Sequence, residues 1–157
     1  MKLFSALLTP SLLFSCRVEK DSDWLDSNII PIRSIESQDE DYADLQPLKE
    51  KIGSARVIML GEQEHGDGST YAAKSRLAKF FHREMGFSVV AFESGFFGAN
   101  KAWDDYEAGK ISYEEVLSQL YIFWTESKMC QDFFEMVEYS QNSEVPISLA
   151  GFDNQQI

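Results

Sequence analysis

The sequence predicts an α/β fold, with a partial doubly wound, mainly parallel sheet of about three strands and crossover helices. Two short apolar runs, 57–60 and 88–92, have the length and β-branched content of buried strands. The segment 70–85 between them has apolar residues at helical spacing, which predicts a βαβ unit with a right-handed crossover. A third apolar run, 146–152, predicts a further strand. Since sheets usually have about five or six strands, we expect the front half of a larger domain.

Further helices are predicted from apolar spacing and from residues that favour helix ends. Ser112 and Glu115 have the spacing of a capping box, and apolar residues recur behind them at helical spacing as far as Trp124, a predicted core residue. Arg76 is predicted to lie on a helix surface, and Cys130 to be a small buried side chain. The other predicted helices span 45–52, 100–108 and 127–139.

The acidic composition excludes several classes of partner. The formal net charge is −12 at pH 7, so no basic surface is available to neutralise the phosphates of a nucleic acid. The same charge disfavours adhesion to anionic lipid. The 157 residues have room for one domain, and a hydrophobic content of 44% is enough for a packed core rather than a disordered chain.

The N-terminus has the pattern of an export signal. Residues 1–15 contain one lysine and an apolar run too short to span a bilayer, which predicts a signal peptide. Cys16 follows directly, an arrangement that resembles the lipobox of bacterial lipoproteins. We therefore expect export to the bacterial cell envelope, with a lipid anchor on the periplasmic side; an ordinary cleaved signal and an N-terminal core helix are the alternatives. The predicted divisions are the signal peptide at 1–15, an acidic tether at 16–44 and an α/β domain at 45–157.

Three polar side chains lie where the predicted strands end. Glu62 and His65 follow the first strand, and Glu93 ends the second. Because the carboxyl ends of parallel strands meet at one edge of a sheet, these side chains are predicted to form a carboxylate–imidazole–carboxylate cluster. Histidine is the usual base at neutral pH, and such a cluster can activate water for attack on a carbonyl. The alternative is a loop histidine that caps a helix end beside two solvated glutamates.

Two more residues are candidates for substrate binding at the same edge. Lys74 falls in the early turns of the crossover helix, where its ammonium can reach a substrate carboxyl or carbonyl oxygen; a surface lysine is the alternative. Asp153 ends the third predicted strand and either lines the site or caps the next turn. Metal binding is a competing use, but one histidine with carboxylates is a thin ligand set for zinc, and the HExxH motif is missing. We therefore expect neither metal nor cofactor.

Four motifs in linked order resemble the erythromycin esterase family. They are LGEQEHGDGSTYAAKSRL, GFSVVAFES, FWTES and LAGFDNQ, within residues 55–157. The resemblance implies a metal-independent hydrolase that opens macrolide lactone rings, with histidine as the general base. By position, Glu62, His65 and Glu93 match the family's active-site glutamates and histidine, whereas Lys74 stands where macrolide esterases carry an arginine. The family's domain is much longer and its second half supplies further site residues, so a C-terminally truncated domain is expected here.

The sequence thus predicts a hydrolase that resembles erythromycin esterases and takes part in the response to antibiotic. Its expected partner is a small-molecule ester or lactone, with no nucleic acid, and with membrane contact only through the lipid anchor on Cys16. The alternative is a non-catalytic envelope lipoprotein that binds a small ligand, haem or metal. A third possibility is a structural remnant without a function of its own.

Overall fold

A computed structural model describes residues 27–62 and 64–154 of the protein. Helices alternate with two strands along the chain, and this confirms the predicted α/β class. The helices are α1 (Gln46–Ile52), α2 (Gly68–Met85), α3 (Phe96–Glu107), α4 (Tyr113–Leu117), α5 (Ile122–Thr125) and α6 (Lys128–Ser140), and the strands are β1 (Val89–Gly95) and β2 (Ser148–Asp153).

The two strands pair in parallel, as predicted for 88–92 and 146–152. The register begins with Val89 opposite Ser148. A small residue is required where β2 passes the end of β1, because a Cβ added at Gly151 would lie 2.6 Å from the carbonyl oxygen of Ser94. Because the strands are parallel, their carboxyl ends reach the same edge of the sheet, with Gly95 opposite Asp153.

The predicted first strand, 57–60, is wrong. Among the described residues the sheet contains β1 and β2 alone, and 57–60 belongs to neither a helix nor a strand. Val57 and Met59 are exposed, whereas Ile58 packs on the core cluster around Phe80. A continuous apolar run indicates a buried strand, but a strand also needs a neighbouring strand that pairs with its backbone, and the local sequence does not supply that partner.

One face of the sheet is covered and the other is open. Val90, Phe92 and Leu149 pack into the main core, which is rich in aromatic side chains from the helices. On the opposite face Val89 is 59% and Phe152 is 62% exposed. Parallel sheets usually bury both faces, so this open apolar face departs from the usual arrangement.

The helix predicted through Trp124 is interrupted. The capping box is confirmed, because Ser112 and Glu115 bond reciprocally at the start of α4. The helix ends after Leu117, and a second one begins only at Ile122. At the break, the backbone N–H of Tyr121 donates to Ser94 Oγ at the end of β1, 3.0 Å away. This tertiary bond places the short helix α5 beside the strand ends.

Arg76 on α2 is buried rather than on a helix surface. Its side chain is 1% exposed and forms a two-pronged ion pair with Asp44, at 2.7 and 3.0 Å. It also donates to the carbonyl oxygens of Ser34 and Asp41. Residues 34–44, which the sequence assigns to an acidic tether, are therefore docked on α2 where the structure describes them.

Two predictions about the N-terminus stay untested. Residues 1–26, with the predicted signal peptide and the lipidation site Cys16, lie outside the described residues. Within 27–62 and 64–154, no helix combines the length and apolar character needed to cross a membrane.

Candidate active site

Three of the predicted site residues meet beside the N-terminus of α2. One oxygen of the Glu62 carboxylate contacts Nδ1 of His65, and the other accepts a hydrogen bond from Lys74 Nζ at 2.6 Å. Glu62 is 10% and Lys74 is 18% exposed, whereas His65 is 49% exposed. The group is therefore an enclosed ion pair that holds a solvent-facing imidazole.

The loop before α2 is shaped to present His65. Gly66 follows it with a φ of 92°, a left-handed conformation that favours glycine. The N–H of Gly66 donates to the hydroxyl of Tyr71, 3.0 Å away on the first turn of α2. Asp67 then caps the helix by accepting from the N–H of Ser69. The hydrogen bond from Gly66 to Tyr71 and the cap formed by Asp67 thus hold the loop after His65 against the first turn of α2.

Asp67 belongs to this cap rather than to the reacting group. The Thr70 hydroxyl donates to its carboxylate at 2.6 Å. That hydrogen bond, with two from backbone N–H groups, lowers the pKa of Asp67 below its ordinary value. The carboxylate is therefore ionised at neutral pH, as an acceptor of helix N–H groups should be.

Aromatic side chains of α5 and the residue before it form one side of the site. We call Tyr121, Phe123 and Trp124 the aromatic wall. The ring of His65 stacks on Phe123 with a centroid distance of 4.5 Å and an angle of 21°, and it meets Trp124 edge-on at 6.2 Å. Lys74 Nζ lies 5.4 Å from the centroid of Trp124, within the range of a cation–π contact. In the group of Glu62, His65 and Lys74, the last two side chains thus contact the aromatic wall.

Glu93 and Asp153 form a second polar group with Tyr121 at the sheet edge. Burial raises the pKa of Tyr121, and the charges of Asp153 and Glu93, with a hydrogen bond to Asp153, raise it further. The phenol is consequently neutral at physiological pH. The wall is fixed to this edge because the indole N–H of Trp124 donates to the backbone oxygen of Glu93 at 3.4 Å.

The predicted carboxylate–imidazole–carboxylate cluster is thus divided between two groups. Glu62 and His65 are together, but among the described residues no hydrogen bond joins the Glu93 carboxylate to His65. The aromatic wall connects the groups, since the rings of Tyr121 and Phe123 lie 5.4 Å apart and Phe123 continues to His65.

Sequence reasoning missed Phe123 and Tyr121 and placed Trp124 only in the core. Trp124 is indeed buried, with 6% exposure, but it also contacts the site. The available signal was the FWTES motif, in which aromatic side chains cluster ahead of a polar segment. The motif contacts the site because the chain breaks between α4 and α5, where the N–H of Tyr121 bonds to Ser94, far away in sequence.

Cys130 does not offer a nucleophile. It is 5% exposed, and burial raises the pKa of its thiol. A protonated thiol is a poor nucleophile. The low exposure confirms the prediction of a small buried side chain.

The arrangement is suited to general base catalysis. A neutral imidazole that donates from Nδ1 to the Glu62 carboxylate keeps a lone pair on its other ring nitrogen, Nε2. Such an imidazole can accept a proton from water while the carboxylate stabilises the cation that forms. In the part of the chain that the structure describes, no three histidine, cysteine, aspartate or glutamate side chains are grouped to hold a metal ion.

Comparison with curated proteins points to hydrolases. The chain is 29% identical over 135 residues to hydrolase YbfO of Bacillus subtilis (strain 168), a match that covers 85% of this chain and 29% of that protein. It is 28% identical over 131 residues to erythromycin esterase type II of Escherichia coli, covering 83% of this chain and 31% of that protein. No model of a known protein family matches the chain.

Two solved structures share the fold. A crystal structure of a Bacillus cereus protein superposes with a TM-score of 0.67 at 25% identity, covering 83% of this chain and 31% of that one. A crystal structure of a succinoglycan biosynthesis protein also gives a TM-score of 0.67, at 28% identity, and covers 82% and 32% of the two chains. The chain thus spans less than a third of each of these proteins. Together the likenesses support a distant relationship to erythromycin-esterase-like hydrolases.

Proposed function

We propose that this chain carries the water-activating part of a hydrolase that cleaves an ester or lactone bond, with His65 as the general base. The observation that carries the proposal is the Lys74–Glu62–His65 group, in which one nitrogen of a half-exposed imidazole is held by an enclosed carboxylate. The distant likeness to hydrolases supports the same class of reaction.

In the proposed reaction His65 Nε2 removes a proton from water as the water oxygen bonds to the substrate carbonyl carbon. The carbonyl electrons move onto its oxygen, giving a tetrahedral intermediate. When that intermediate collapses, the bond between carbon and the ester oxygen breaks, and His65 returns its proton to the leaving oxygen. Glu62 stabilises the imidazolium between the two proton transfers.

Lys74 takes a different role from the substrate contact that the sequence suggests. Its ammonium is bonded to Glu62 at 2.6 Å and stands over the ring of Trp124. We therefore assign Lys74 to holding the Glu62 carboxylate in place. Glu93 and Asp153, beside Tyr121 at the strand ends, are then the candidates for binding polar groups of the substrate.

The biological setting belongs to the same proposal. A macrolide-type lactone as substrate, a part in the response to antibiotic, and envelope attachment through a lipid on Cys16 follow from the resemblance and from the N-terminal sequence. The non-catalytic lipoprotein is the rival, and it predicts a ligand retained by the protein without turnover.

The test compares the two histidines of the chain. Hydrolysis of a panel of chromogenic esters and macrolide lactones is measured for the wild type, His65→Ala and the control His82→Ala. His82 lies on α2, and its ring bonds to the backbone oxygen of Phe87. We expect His65→Ala to lower kcat by about 10²- to 10⁴-fold, the usual contribution of a general base, and His82→Ala to leave it nearly unchanged.

Either of two outcomes would contradict the proposal. Turnover by the His65→Ala variant at the wild-type rate would remove His65 as the base. A wild-type chain that retains a small molecule, haem or metal through purification and hydrolyses no ester or lactone would favour the binding protein instead.

A further inference from the structure

The ring plane of His65 has few constraints of its own. The side chain is 49% exposed, so a surrounding core does not hold it. Its contact with Glu62 fixes Nδ1 at one carboxylate oxygen. A single contact of this kind leaves the ring able to roll about the line between those two atoms, and such a roll would swing Nε2 away from a bound water.

Phe123 supplies the missing constraint. Its ring lies against the imidazole with a centroid distance of 4.5 Å and an angle of 21°, an offset stack of the kind that aromatic pairs favour. Trp124 meets the same imidazole edge-on, at an angle of 81°. A carboxylate at one nitrogen, a ring on one face and a ring at right angles together define a single orientation of His65.

Phe123 is itself held by the sheet. Its ring packs on Trp124 at 5.0 Å and on Tyr121 at 5.4 Å. The Tyr121 N–H bonds to Ser94 Oγ, and the Trp124 indole bonds to the backbone oxygen of Glu93. The orientation of the imidazole is therefore also tied to the end of β1, through contacts that do not pass along the loop that bears His65.

We propose that Phe123 is a positioning residue, whose stacked ring holds the imidazole of His65 in the orientation that general base catalysis needs. The catalytic consequence rests on the proposed hydrolase function, whereas the positioning itself does not. Small errors of placement are costly in enzymes, since a shift of about 1 Å can lower the rate by about 10²-fold.

The first measurement is the NMR spectrum of the histidine ring C–H protons in the full chain. With two histidines present, a His82→Gln background leaves the signals of His65 alone. A ring stacked on Phe123 is shifted upfield by the aromatic ring current. We expect Phe123→Leu to move these signals downfield, towards those of a solvent-exposed histidine, and Phe123→Tyr to keep the upfield position. Unchanged signals in Phe123→Leu would overturn the proposal.

The second measurement separates a positioning role from mere packing. In ester hydrolysis we expect Phe123→Leu to lower kcat by about 10- to 100-fold with little change in KM, and Phe123→Tyr to restore it. Tyr139→Leu, at an 82% exposed aromatic near the end of α6, is the matched control. If Phe123→Leu does not fold cooperatively, Phe123→Met replaces it, because methionine also lacks a ring and is flexible enough to fill the space.

The two measurements keep the two proposals apart. A histidine signal that moves in Phe123→Leu while kcat holds would overturn the positioning role, although His65 could still be the base. If the wild type hydrolyses no ester but the histidine signals still move in Phe123→Leu, the proposed function is refuted and the stacking of Phe123 on His65 stands.

Discussion

Helix α2 carries the cations of two ion pairs, which are two residues apart in sequence. The two pairs differ in the hydrogen-bonding groups that they leave for a third partner. Arg76 is 1% and its partner Asp44 is 7% exposed. Lys74 and its partner Glu62 are 18% and 10% exposed. All the guanidinium N–H groups of Arg76 are bonded, to Asp44 and to three backbone oxygens. In the other pair, one carboxylate oxygen is left for His65.

This difference separates an ion pair that holds the fold from one that, in the proposed function, supports the base His65. A saturated buried pair specifies a single packing arrangement, here that of residues 34–44 on α2. In the other pair, the Glu62 carboxylate also contacts the half-exposed imidazole of His65, so its charge acts on a group that is open to solvent. The residue types of the two pairs do not distinguish these roles. The roles are distinguished by the hydrogen-bonding capacity that each ion pair leaves unused.

The largest expected effect is on the saturated pair. Arg76→Met should lower the free energy of unfolding by about 3–5 kcal/mol, because it leaves the buried carboxylate of Asp44 without its partner. Arg83→Met is the control, since that pair with Glu40 is 39% and 59% exposed and should change stability by about 1 kcal/mol or less. Urea unfolding followed by far-UV circular dichroism measures both. Equal losses in the two variants would contradict the difference between the buried pair and the exposed pair.

The second expected effect falls on activity rather than on stability. Glu62→Gln keeps the shape of the side chain but removes the charge that stabilises the His65 cation. We expect kcat for ester hydrolysis to fall by about 10- to 100-fold, at the low end of acid–base contributions. Stability should fall less than in Arg76→Met, because the amide oxygen can still accept a hydrogen bond from Lys74. A kcat that stays at the wild-type value, measured beside the unfolding midpoint, would show that the carboxylate does not assist His65.

The smallest expected effect is a dependence of stability on acid. The hydrogen bond from Arg76 lowers the pKa of Asp44 in the folded state well below its ordinary value of 3.8. A depressed folded pKa adds stability above the unfolded value, and that stability is lost as the pH falls towards the folded pKa. The unfolding free energy should therefore decrease as the pH is lowered below about 4, with a shallower slope in Asp44→Asn. Parallel slopes in urea titrations of the two proteins would refute this assignment.

Local patterns predicted the elements whose evidence lies within one stretch of sequence. The strands that became β1 and β2, the helix α2 and the capping box at Ser112 are of this kind. The errors arose where a distant group decided the outcome. Ser94 binds the N–H of Tyr121 where the predicted helix is interrupted, and Asp44 pairs with Arg76 in the interior.

The site divides in the same way. Glu62, His65 and Lys74 lie close in sequence, on one loop and the following helix. The sequence predicts Glu62 and His65 together and places Lys74 at the same edge, but as a substrate contact rather than as the partner of Glu62. Phe123 reaches His65 from another part of the chain, and nothing in the spacing of either residue records that contact. The predicted link between Glu93 and His65 relied on strand ends alone, and among the described residues no hydrogen bond joins these two side chains.

The open face of the sheet has a consequence for the behaviour of the protein in solution. It exposes Val89 and Phe152 beside a chain that carries a net charge of −12. Charge repulsion keeps copies apart, and it is screened over about 10 Å at 0.1 M salt and about 3 Å at 1 M. Salt thus weakens the repulsion but not the attraction between apolar faces. We therefore expect this acidic chain to self-associate less in buffers of low ionic strength than in concentrated salt.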